Sequence, residues 1–373
     1  MTNSTPVPAG PWVLVVGAHR SGTSAVTGAL VAMGLGGMDP GDRMDWNESN
    51  PEHWESLGAA LLDEELLLAM GGSWDAPPEE GVQVGPIETT SSPGDVMAAA
   101  YPTRGPVVWK DPRVCLLLPY WREVLPGPLT AVLVWRDPMS VARSLHTRDG
   151  MSIEYGLALW ERYTRSALAG LQGIDTYVLE YGNVVENPAA AFGAIAEWLA
   201  HLDRIPPPDT GWDVAAAAAT IDSGLRHQSG AAEGAAALPD ETRVLTEWLP
   251  SIAGGHRSFD QAPPAPVTPW PDALVSVRRE QWPLRSRLHD TEVELERAQL
   301  QIESIRQGAE EMEQALRSGY GVEIDRMVDE LHEARDRAES LSRELSSVKS
   351  SASWKVTRPL RSAATRVSGQ PKT

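Results

Sequence analysis

Apolar residues follow two different patterns along the first two thirds of the chain. Short unbroken runs rich in β-branched residues are typical of buried parallel strands, and they occupy residues 13–16, 107–109, 129–135 and 176–179. Longer segments with apolar residues three or four positions apart predict helices, over residues 24–33, 57–70, 114–125, 155–171, 187–202 and 239–249. Strands that alternate with helices predict an α/β fold with a parallel, doubly wound sheet.

Local signals refine this prediction at a few positions. Asp137 followed by Pro138 is a helix start, because aspartate caps a first turn and proline fits the first helical position. The helix that follows should place Val141, Ala142 and Leu145 inward. Pro119 predicts an interruption in the helix over 114–125. Proline-, glycine-, serine- or alanine-rich stretches predict loops over residues 75–95 and 205–237.

The last third of the chain has a seven-residue repeat of apolar positions after a proline-rich stretch at 263–271. The repeat is narrow, and a narrow apolar stripe of this length needs a partner helix to bury it. We therefore predict a coiled coil and a homo-oligomer, with a single solvated helix as the alternative. The repeat restarts one residue out of phase after Gly319, Tyr320 and Gly321, which predicts a kink or hinge there. Its positions are Leu288, Thr291, Leu295, Ala298, Ile302, Ile305, Ala309, Met312 and Leu316, then Ile324, Met327, Leu331, Ala334, Ala338, Leu341, Leu345 and Val348.

These patterns divide the chain into five predicted parts. They are a flexible N-terminus over residues 1–11, a P-loop-like three-layer domain with a parallel sheet over 12–260, a proline-rich linker over 261–284, an α-helical coiled coil over 285–350 and a basic tail over 351–373.

Charge and composition narrow the possible partners. The chain has 51 acidic and 32 basic residues and a formal net charge of −19, which argues against a nucleic-acid partner. Any site for an anion must therefore be built from local arginines and backbone donors.

The single cysteine, Cys115, excludes an intramolecular disulfide and is expected to be a small buried residue. The N-terminus has neither a basic region nor a long apolar segment, so we expect a cytoplasmic protein.

The turn between the first predicted strand and helix reads Gly-Ala-His-Arg-Ser-Gly-Thr-Ser, residues 17–24. Backbone N–H groups of such a turn and of the helix start point at one spot, where the helix dipole adds positive potential, so the turn predicts an anion site. Gly17 and Gly22 permit close backbone approach, and Ser21, Thr23 and Ser24 add hydroxyl donors. A plain glycine turn in an ordinary α/β domain is the alternative.

The two glycines have the spacing of a P-loop, but Thr23 stands where nucleotide triphosphatases have a lysine. Arg20 lies inside the loop instead, and nothing downstream resembles a paired magnesium-binding carboxylate. The loop therefore suits a single phosphate better than a triphosphate. A P-loop small-molecule kinase remains an alternative function.

Two later segments join this loop in a family resemblance. Lys-Asp-Pro-Arg at residues 110–113 and Trp-Arg-Asp-Pro-Met-Ser-Val-Ala-Arg-Ser-Leu at 135–145, in this order after the loop, resemble sulfotransferases that use 3′-phosphoadenosine-5′-phosphosulfate (PAPS). The resemblance covers roughly residues 12–250. It implies a metal-free in-line transfer of a sulfuryl group from PAPS, as co-substrate, to a hydroxyl acceptor.

The resemblance also implies roles for individual residues. The loop residues Arg20, Ser21, Gly22, Thr23 and Ser24 would hold the 5′-phosphate and sulfonate. The 3′-phosphate would bind Arg136 and Ser144, with a weaker match for Arg226, and Lys110 would lie near the sulfonate and stabilise charge on the bridging oxygen. Simpler roles stay open: a helix cap with a surface pair at 136–137, a structural salt bridge at 110–111, and a solvated loop arginine at 226.

The reaction also needs a base to take the proton of the acceptor hydroxyl. Part of the family has a histidine soon after the lysine, where this chain has Asp111. The segment at residues 47–56 resembles an Asn-Pro-x-Gly-x-x-Glu segment of bacterial members, without its glycine. Glu55 is our first candidate, followed by Glu48, His53 and Asp111, and burial beside Trp54 would raise the pKa of such a carboxyl group. Ordinary loop-surface charges are the alternative.

The tail at residues 351–361 resembles a Ser-x-Ser-Trp-x-x-Thr-x-Pro-Leu-Arg element found beside coiled coils in bacterial surface-glycan enzymes. This resemblance implies a carbohydrate acceptor, a sugar hydroxyl of a surface polysaccharide or glycolipid. One tryptophan and several basic residues would allow peripheral contact with the inner face of the membrane or with a partner, and a frayed C-terminal end is the alternative. A non-catalytic nucleotide-binding scaffold, whose coiled coil is the functional part, is the remaining alternative.

Overall fold

The computed structural model of the chain describes residues 10–44, 54–79, 89–101, 105–221, 238–265, 287, 291, 294–295, 297–313 and 324–350. The chain divides into two compact units, residues 1–271 and 272–373. The first unit is a mixed α/β structure, and the described residues of the second are helical.

A five-stranded sheet forms the centre of the first unit, with strand order β2-β1-β3-β4-β5. The strands are β1 (Trp12–Val16), β2 (Val107–Lys110), β3 (Leu129–Trp135), β4 (Asp175–Glu180) and β5 (Gly254–His256). Neighbouring strands among the first four are parallel, and β5 is antiparallel to β4. The four predicted strands and the parallel sheet are confirmed. Strand β5 was not predicted, because Gly-Gly-His has neither the length nor the β-branched composition of a recognisable strand.

Ten helices of the first unit flank this sheet in the described part of the chain. They are α1 (Thr23–Met33), α2 (Leu57–Ala69), α3 (Pro93–Ala100), α4 (Val114–Val124), α5 (Pro138–Asp149), α6 (Ile153–Gly170), α7 (Tyr181–Glu186), α8 (Pro188–Ala200), α9 (Val214–Ala219) and α10 (Asp240–Trp248). Short 3₁₀ helices also span Pro40–Asp42 and Leu249–Ile252.

Three details of the helix prediction change. Helix α4 continues through Pro119, so the predicted interruption is wrong. Its buried Leu117, Leu118 and Trp121 hold the helix against the core, and this packing outweighs the one backbone bond that proline cannot make. Helix α3 begins inside the loop predicted over residues 75–95, and α9 lies inside the loop predicted over residues 205–237. The start of α5 is confirmed, since the Asp137 side chain accepts from the Ser140 N–H at 2.7 Å.

The two faces of the sheet bury separate cores. Trp12, Leu14 and Val16 of β1 pack with helices α2 to α6 on one face, and Val13 and Val15 pack with α1, α8 and α9 on the other. Alternate residues of a strand point to opposite faces, so the all-apolar run of β1 is explained by helices on both sides. The predicted layering is confirmed.

The second unit contains helical residues 297–313, here called α11, and helix α12 (Ile324–Ser350). A Cβ at Gly308 would lie 2.9 Å from Met327 Cε, so the two helices touch. In one continuous helix these residues would be roughly 28 Å apart, and the helices therefore lie side by side. The buried Ala298, Ala334 and Ala338 occupy the predicted apolar seam. Pairing with a second chain stays a prediction. Among the described residues, no helix combines the length and apolarity needed to cross a membrane.

Candidate anion-binding site

Three predicted site segments meet at one edge of the sheet. The loop at residues 17–22 follows β1, Lys110 ends β2, and Arg136 follows β3. Strand β1 lies between β2 and β3, with Val15 paired to Lys110 and Val16 paired to Leu133. Because the carboxyl ends of parallel strands share an edge, this order of strands brings the three segments together.

The glycines of the loop are required by close contacts. A Cβ at Gly17 would lie 2.2 Å from the carbonyl oxygen of Val134, and a Cβ at Gly22 would lie 2.2 Å from the Tyr181 ring. Gly22 also has a φ of 91°, in the left-handed region that favours glycine. The Gly17 N–H donates to the Cys115 sulfur at 3.1 Å. Burial raises the pKa of the Cys115 thiol to about 12, which keeps it neutral, so the predicted small buried cysteine is confirmed.

The start of helix α1 completes the loop. Its N-cap residue is Gly22, and no side chain caps the first turn within the described part of the chain. Thr23 and Ser21 are buried, and the Ser21 hydroxyl has no hydrogen-bond partner among the described residues. Uncapped N–H groups at a helix start, beside a buried hydroxyl, form an electropositive cradle of the kind that binds anions.

The loop and the segment after β3 contact each other directly. Arg20 donates from Nε to Ser144 Oγ at 2.9 Å, and Arg136 Nη1 lies 3.4 Å from the Arg20 carbonyl oxygen. The Arg136 guanidinium also lies 5.6 Å from the centre of the Tyr181 ring. Burial lowers the pKa of both arginines from 12.5, although a guanidinium still keeps its charge near neutrality. The Arg20 and Arg136 guanidinium groups and the Ser144 hydroxyl therefore lie together at this edge of the sheet.

Lys110 links Glu55 to the start of helix α1. The lysine is only 1% exposed; its Nζ donates to Ser24 Oγ at 2.8 Å and forms an ion pair with Glu55 Oε1. Glu55 is itself buried, just before Ser56, which caps helix α2 through the Ala59 N–H. The pair brings a cation, a carboxylate and the first turn of α1 into contact.

Asp111, the other candidate beside Lys110, has different partners. Its carboxylate accepts from the Arg113 backbone N–H at 2.8 Å and pairs with the Arg113 guanidinium at 3.1 Å. Arg113 in turn pairs with Glu64 at 2.7 Å. Burial raises the pKa of the neighbouring Asp63 well above its usual range, and the Asp111 charge raises it further. Asp111 thus belongs to a buried charged network behind the lysine. Arg226, Glu48 and His53 lie outside the described residues.

Trp54 holds the segment of Glu55 against the first helix. Its indole nitrogen would lie 2.9 Å from a Cβ at Gly28, so only glycine allows this approach without movement. The Arg43 guanidinium also lies 4.6 Å from the Trp54 ring centre. Trp54, the neighbour of Glu55 in the sequence, is therefore packed against helix α1 and Arg43.

Sequence reasoning missed a second group of residues at this edge, around His19. The His19 ring lies 4.7 Å from the Trp74 ring and 5.2 Å from the Tyr163 ring. Its Nε2 has no hydrogen-bond partner among the described residues, and the adjoining cavity of about 10 Å³ has roughly the room of one water. Burial, then the charges of Arg148 and Arg113, lower the pKa of His19 well below 6.5. The ring is therefore neutral near pH 7.

Comparison with solved structures gives neighbours that include two sulfotransferase domains. The chain is similar to a sulfotransferase domain from the curacin biosynthetic pathway, at 13% identity and a TM-score of 0.32, covering 57% of this chain and 83% of that one. It is also similar to a sulfotransferase domain from the Synechococcus PCC 7002 olefin synthase, at 15% identity and a TM-score of 0.30, covering 53% and 74%. No family model and no curated protein match the sequence.

Proposed function

We propose that the chain is a sulfotransferase that moves a sulfuryl group from PAPS to a hydroxyl acceptor without a metal ion. The contact between Arg20 and Ser144 supports this proposal most, because it joins the loop after β1 to the segment after β3. A donor with phosphates at both its 5′ and 3′ positions needs two anion-binding elements within the span of one nucleotide, and these two elements adjoin.

In the proposed complex each element holds one end of the donor. The N–H groups at the start of α1, with the hydroxyls of Ser21, Thr23 and Ser24, would bind the 5′-phosphate and sulfonate. Arg136 and Ser144 would bind the 3′-phosphate, with Arg20 between the two ends. The Ser144 hydroxyl, which accepts from Arg20, is free to donate its own proton to a phosphate oxygen.

The transfer step follows from the pair of Lys110 and Glu55. The acceptor oxygen attacks sulfur as the bond from sulfur to the bridging phosphate oxygen breaks, and 3′-phosphoadenosine 5′-phosphate leaves. Lys110 stabilises the charge that develops on the bridging oxygen, and Glu55 takes the hydroxyl proton. The ion pair supports these roles, because it places a carboxylate, a group that can accept a proton, directly beside the lysine.

The acceptor and the cellular setting remain part of the proposal. We infer a sugar hydroxyl of a surface polysaccharide or glycolipid, reached from the cytoplasm with peripheral membrane contact through the tail. The acceptor and the membrane contact rest on the sequence of residues 351–361, which lie outside the described residues.

Titration calorimetry with 3′-phosphoadenosine 5′-phosphate tests the donor site. We expect Arg136→Ala to weaken binding several-fold or more, since a charge-assisted bond to phosphate is lost. Arg257→Ala is the matched control: it removes the same charge at the opposite edge of the sheet, where Arg257 faces Asp175. Equal affinity of the Arg136 variant and the unmodified chain would refute the assignment. A labelled-sulfate transfer assay with extracted cell-envelope glycans then separates the enzyme from a nucleotide-binding scaffold.

A further inference from the structure

Arg148 lies on helix α5, the helix that carries Ser144 of the candidate anion site. It follows Ser144 by four residues, so the two side chains are neighbours on one helix face. Helical side chains lean toward the N-terminus of their helix. Arg148 therefore leans over the turn that carries Ser144, and Ser144 is the residue that bonds Arg20.

Two neighbours hold the Arg148 guanidinium in place. Its carbon lies 5.3 Å from the centre of the Trp74 ring. Its Nε lies 2.9 Å from both carboxylate oxygens of Asp149, and its Nη2 lies 2.8 Å from one of them. Nη1 has no partner among the described residues, and the side chain is 27% exposed. A fixed guanidinium with one unused donor edge is prepared to bind a further oxyanion.

The charge of Arg148 acts on the loop. Burial lowers the pKa of Arg20, and the next largest cause is the charge of Arg148, ahead of that of Arg136. The Arg20 guanidinium is therefore within reach of the charges of both Arg148 and Arg136, in a chain whose net charge is −19. Asp149 offsets part of the positive charge around Arg20, but a bound dianion would offset far more of it.

We propose that Arg148 binds the 3′-phosphate of the donor together with Arg136 and Ser144, and so makes the site select nucleotides that carry this phosphate. This inference rests on the proposed function. A phosphate monoester is a dianion near neutral pH, and two arginines from different segments can share its oxygens. The 5′ end of the donor is left to the backbone N–H groups at the start of α1.

The test compares two nucleotides that differ only in the 3′-phosphate. Titration calorimetry measures the affinity of the full chain for 3′-phosphoadenosine 5′-phosphate and for adenosine 5′-monophosphate. In Arg148→Ala we expect about a tenfold loss for the bisphosphate and less than a twofold loss for the monophosphate. Arg148→Lys should fall between, because it keeps the charge and loses the fork; it also serves if the alanine variant does not fold. Arg257→Ala should leave both affinities unchanged.

The results separate the role of Arg148 from the proposed function. Equal losses for both nucleotides would mean that Arg148 only supports Trp74 and the loop, and would overturn the inference. An unchanged ratio of the two affinities in an Arg148 variant would also overturn it, while binding of the bisphosphate by the unmodified chain would leave the proposed function standing. If the unmodified chain binds neither nucleotide, the proposed function fails and this inference fails with it.

Discussion

Lys110 is a buried cation whose two partners define what it can do. Ser24 fixes its ammonium group at the first turn of α1, and Glu55 neutralises its charge. An ion pair removed from water is costly to break from one side, because the remaining charge stays buried without compensation. The pair is therefore either a structural support or a catalytic unit, and kinetics distinguishes these roles.

We predict that Lys110→Ala lowers the turnover number at least about a hundredfold and changes bisphosphate affinity only a few-fold, because a charge that forms on the bridging oxygen is stabilised mainly in the transition state. Steady-state kinetics and calorimetry measure the two quantities. Glu55→Gln, measured in parallel, keeps the shape of the partner and should also reduce turnover. A loss of affinity without a loss of turnover would exclude Lys110 from the transition state.

His19 gives a prediction for stability against pH. Burial, followed by the charges of Arg148 and Arg113, lowers the pKa of the His19 ring in the folded chain. In the unfolded chain the same ring titrates near pH 6.5. Below that pH the unfolded state binds one more proton, so stability falls as pH falls. The cost reaches at most about 1.4 kcal/mol at pH 5.5.

Urea unfolding at pH 7.5 and pH 5.5 measures this effect. We expect the unmodified chain to lose more stability than His19→Gln over this interval, since glutamine does not titrate. Equal losses in the two proteins would mean that His19 takes up a proton as readily in the folded chain as in the unfolded chain, which would contradict the lowered pKa. A neutral His19 matters for the site, because a charged ring would repel Arg20 and Arg148.

At the scale of elements, the loop between β1 and α1 carries both the backbone geometry and the candidate anion site. Gly22 combines a positive φ with a contact to Tyr181, and Tyr181 lies under the Arg136 guanidinium. A side chain at residue 22 would therefore disturb the loop and the arginine together.

We predict that Gly22→Ala weakens binding of 3′-phosphoadenosine 5′-phosphate by about tenfold or more. Gly211→Ala is the matched control, since Gly211 has a φ of 79° and open space where the Cβ would stand. Both variants should lose about 1–2 kcal/mol of stability from the left-handed conformation, and the contact of the new Cβ with the Tyr181 ring should add to the loss in Gly22→Ala. Calorimetry and thermal unfolding separate the effects, and equal losses of affinity in the two variants would contradict the assigned role of the loop.

The elements that could be predicted from sequence are those whose own pattern is strong. Strand β3 was predicted to the residue, because seven apolar or β-branched positions are all buried. Helix α3 was not, because Pro93 and Gly94 in its first turn read as a loop, although proline is well suited to a first helical position. Trp74 and His19 were missed for a different reason: their contact joins residues that are far apart in the sequence.

At the scale of the whole first unit, the site depends on the order of the strands. Arg20 and Ser144 are 124 residues apart and meet because β1 lies beside β3. No local pattern specifies that order. The residues of the loop predicted one anion site by themselves, whereas the role of Arg136 and Ser144, and their union with the loop, came from the family resemblance. Arg148 could have been found from its spacing to Ser144, four residues along a predicted helix.

The second unit leaves part of its apolar seam uncovered by its own two helices. The contact of Gly308 with Met327 brings α11 and α12 together, and the alanines at the seam are buried. Larger seam residues stay only half-buried, among them Ile302, Ile305, Met312, Met327, Leu331, Leu341 and Leu345. Half-buried apolar residues along one stripe favour association with a second copy of the chain.

We predict that the full chain is a homo-oligomer in solution and that Leu331→Glu combined with Leu341→Glu makes it monomeric, because two carboxylates at the seam cannot be buried without partners. Light scattering at micromolar concentration measures the mass. The control pair, His332→Glu with Ser342→Glu, lies one residue further along, at exposed positions, and should keep the oligomer. A monomeric mass for the unmodified chain, or an unchanged mass for the leucine variant, would contradict the prediction. Retained binding of 3′-phosphoadenosine 5′-phosphate by the monomeric variant would show that only the association was lost, since the described residues of the proposed donor site all belong to the first unit.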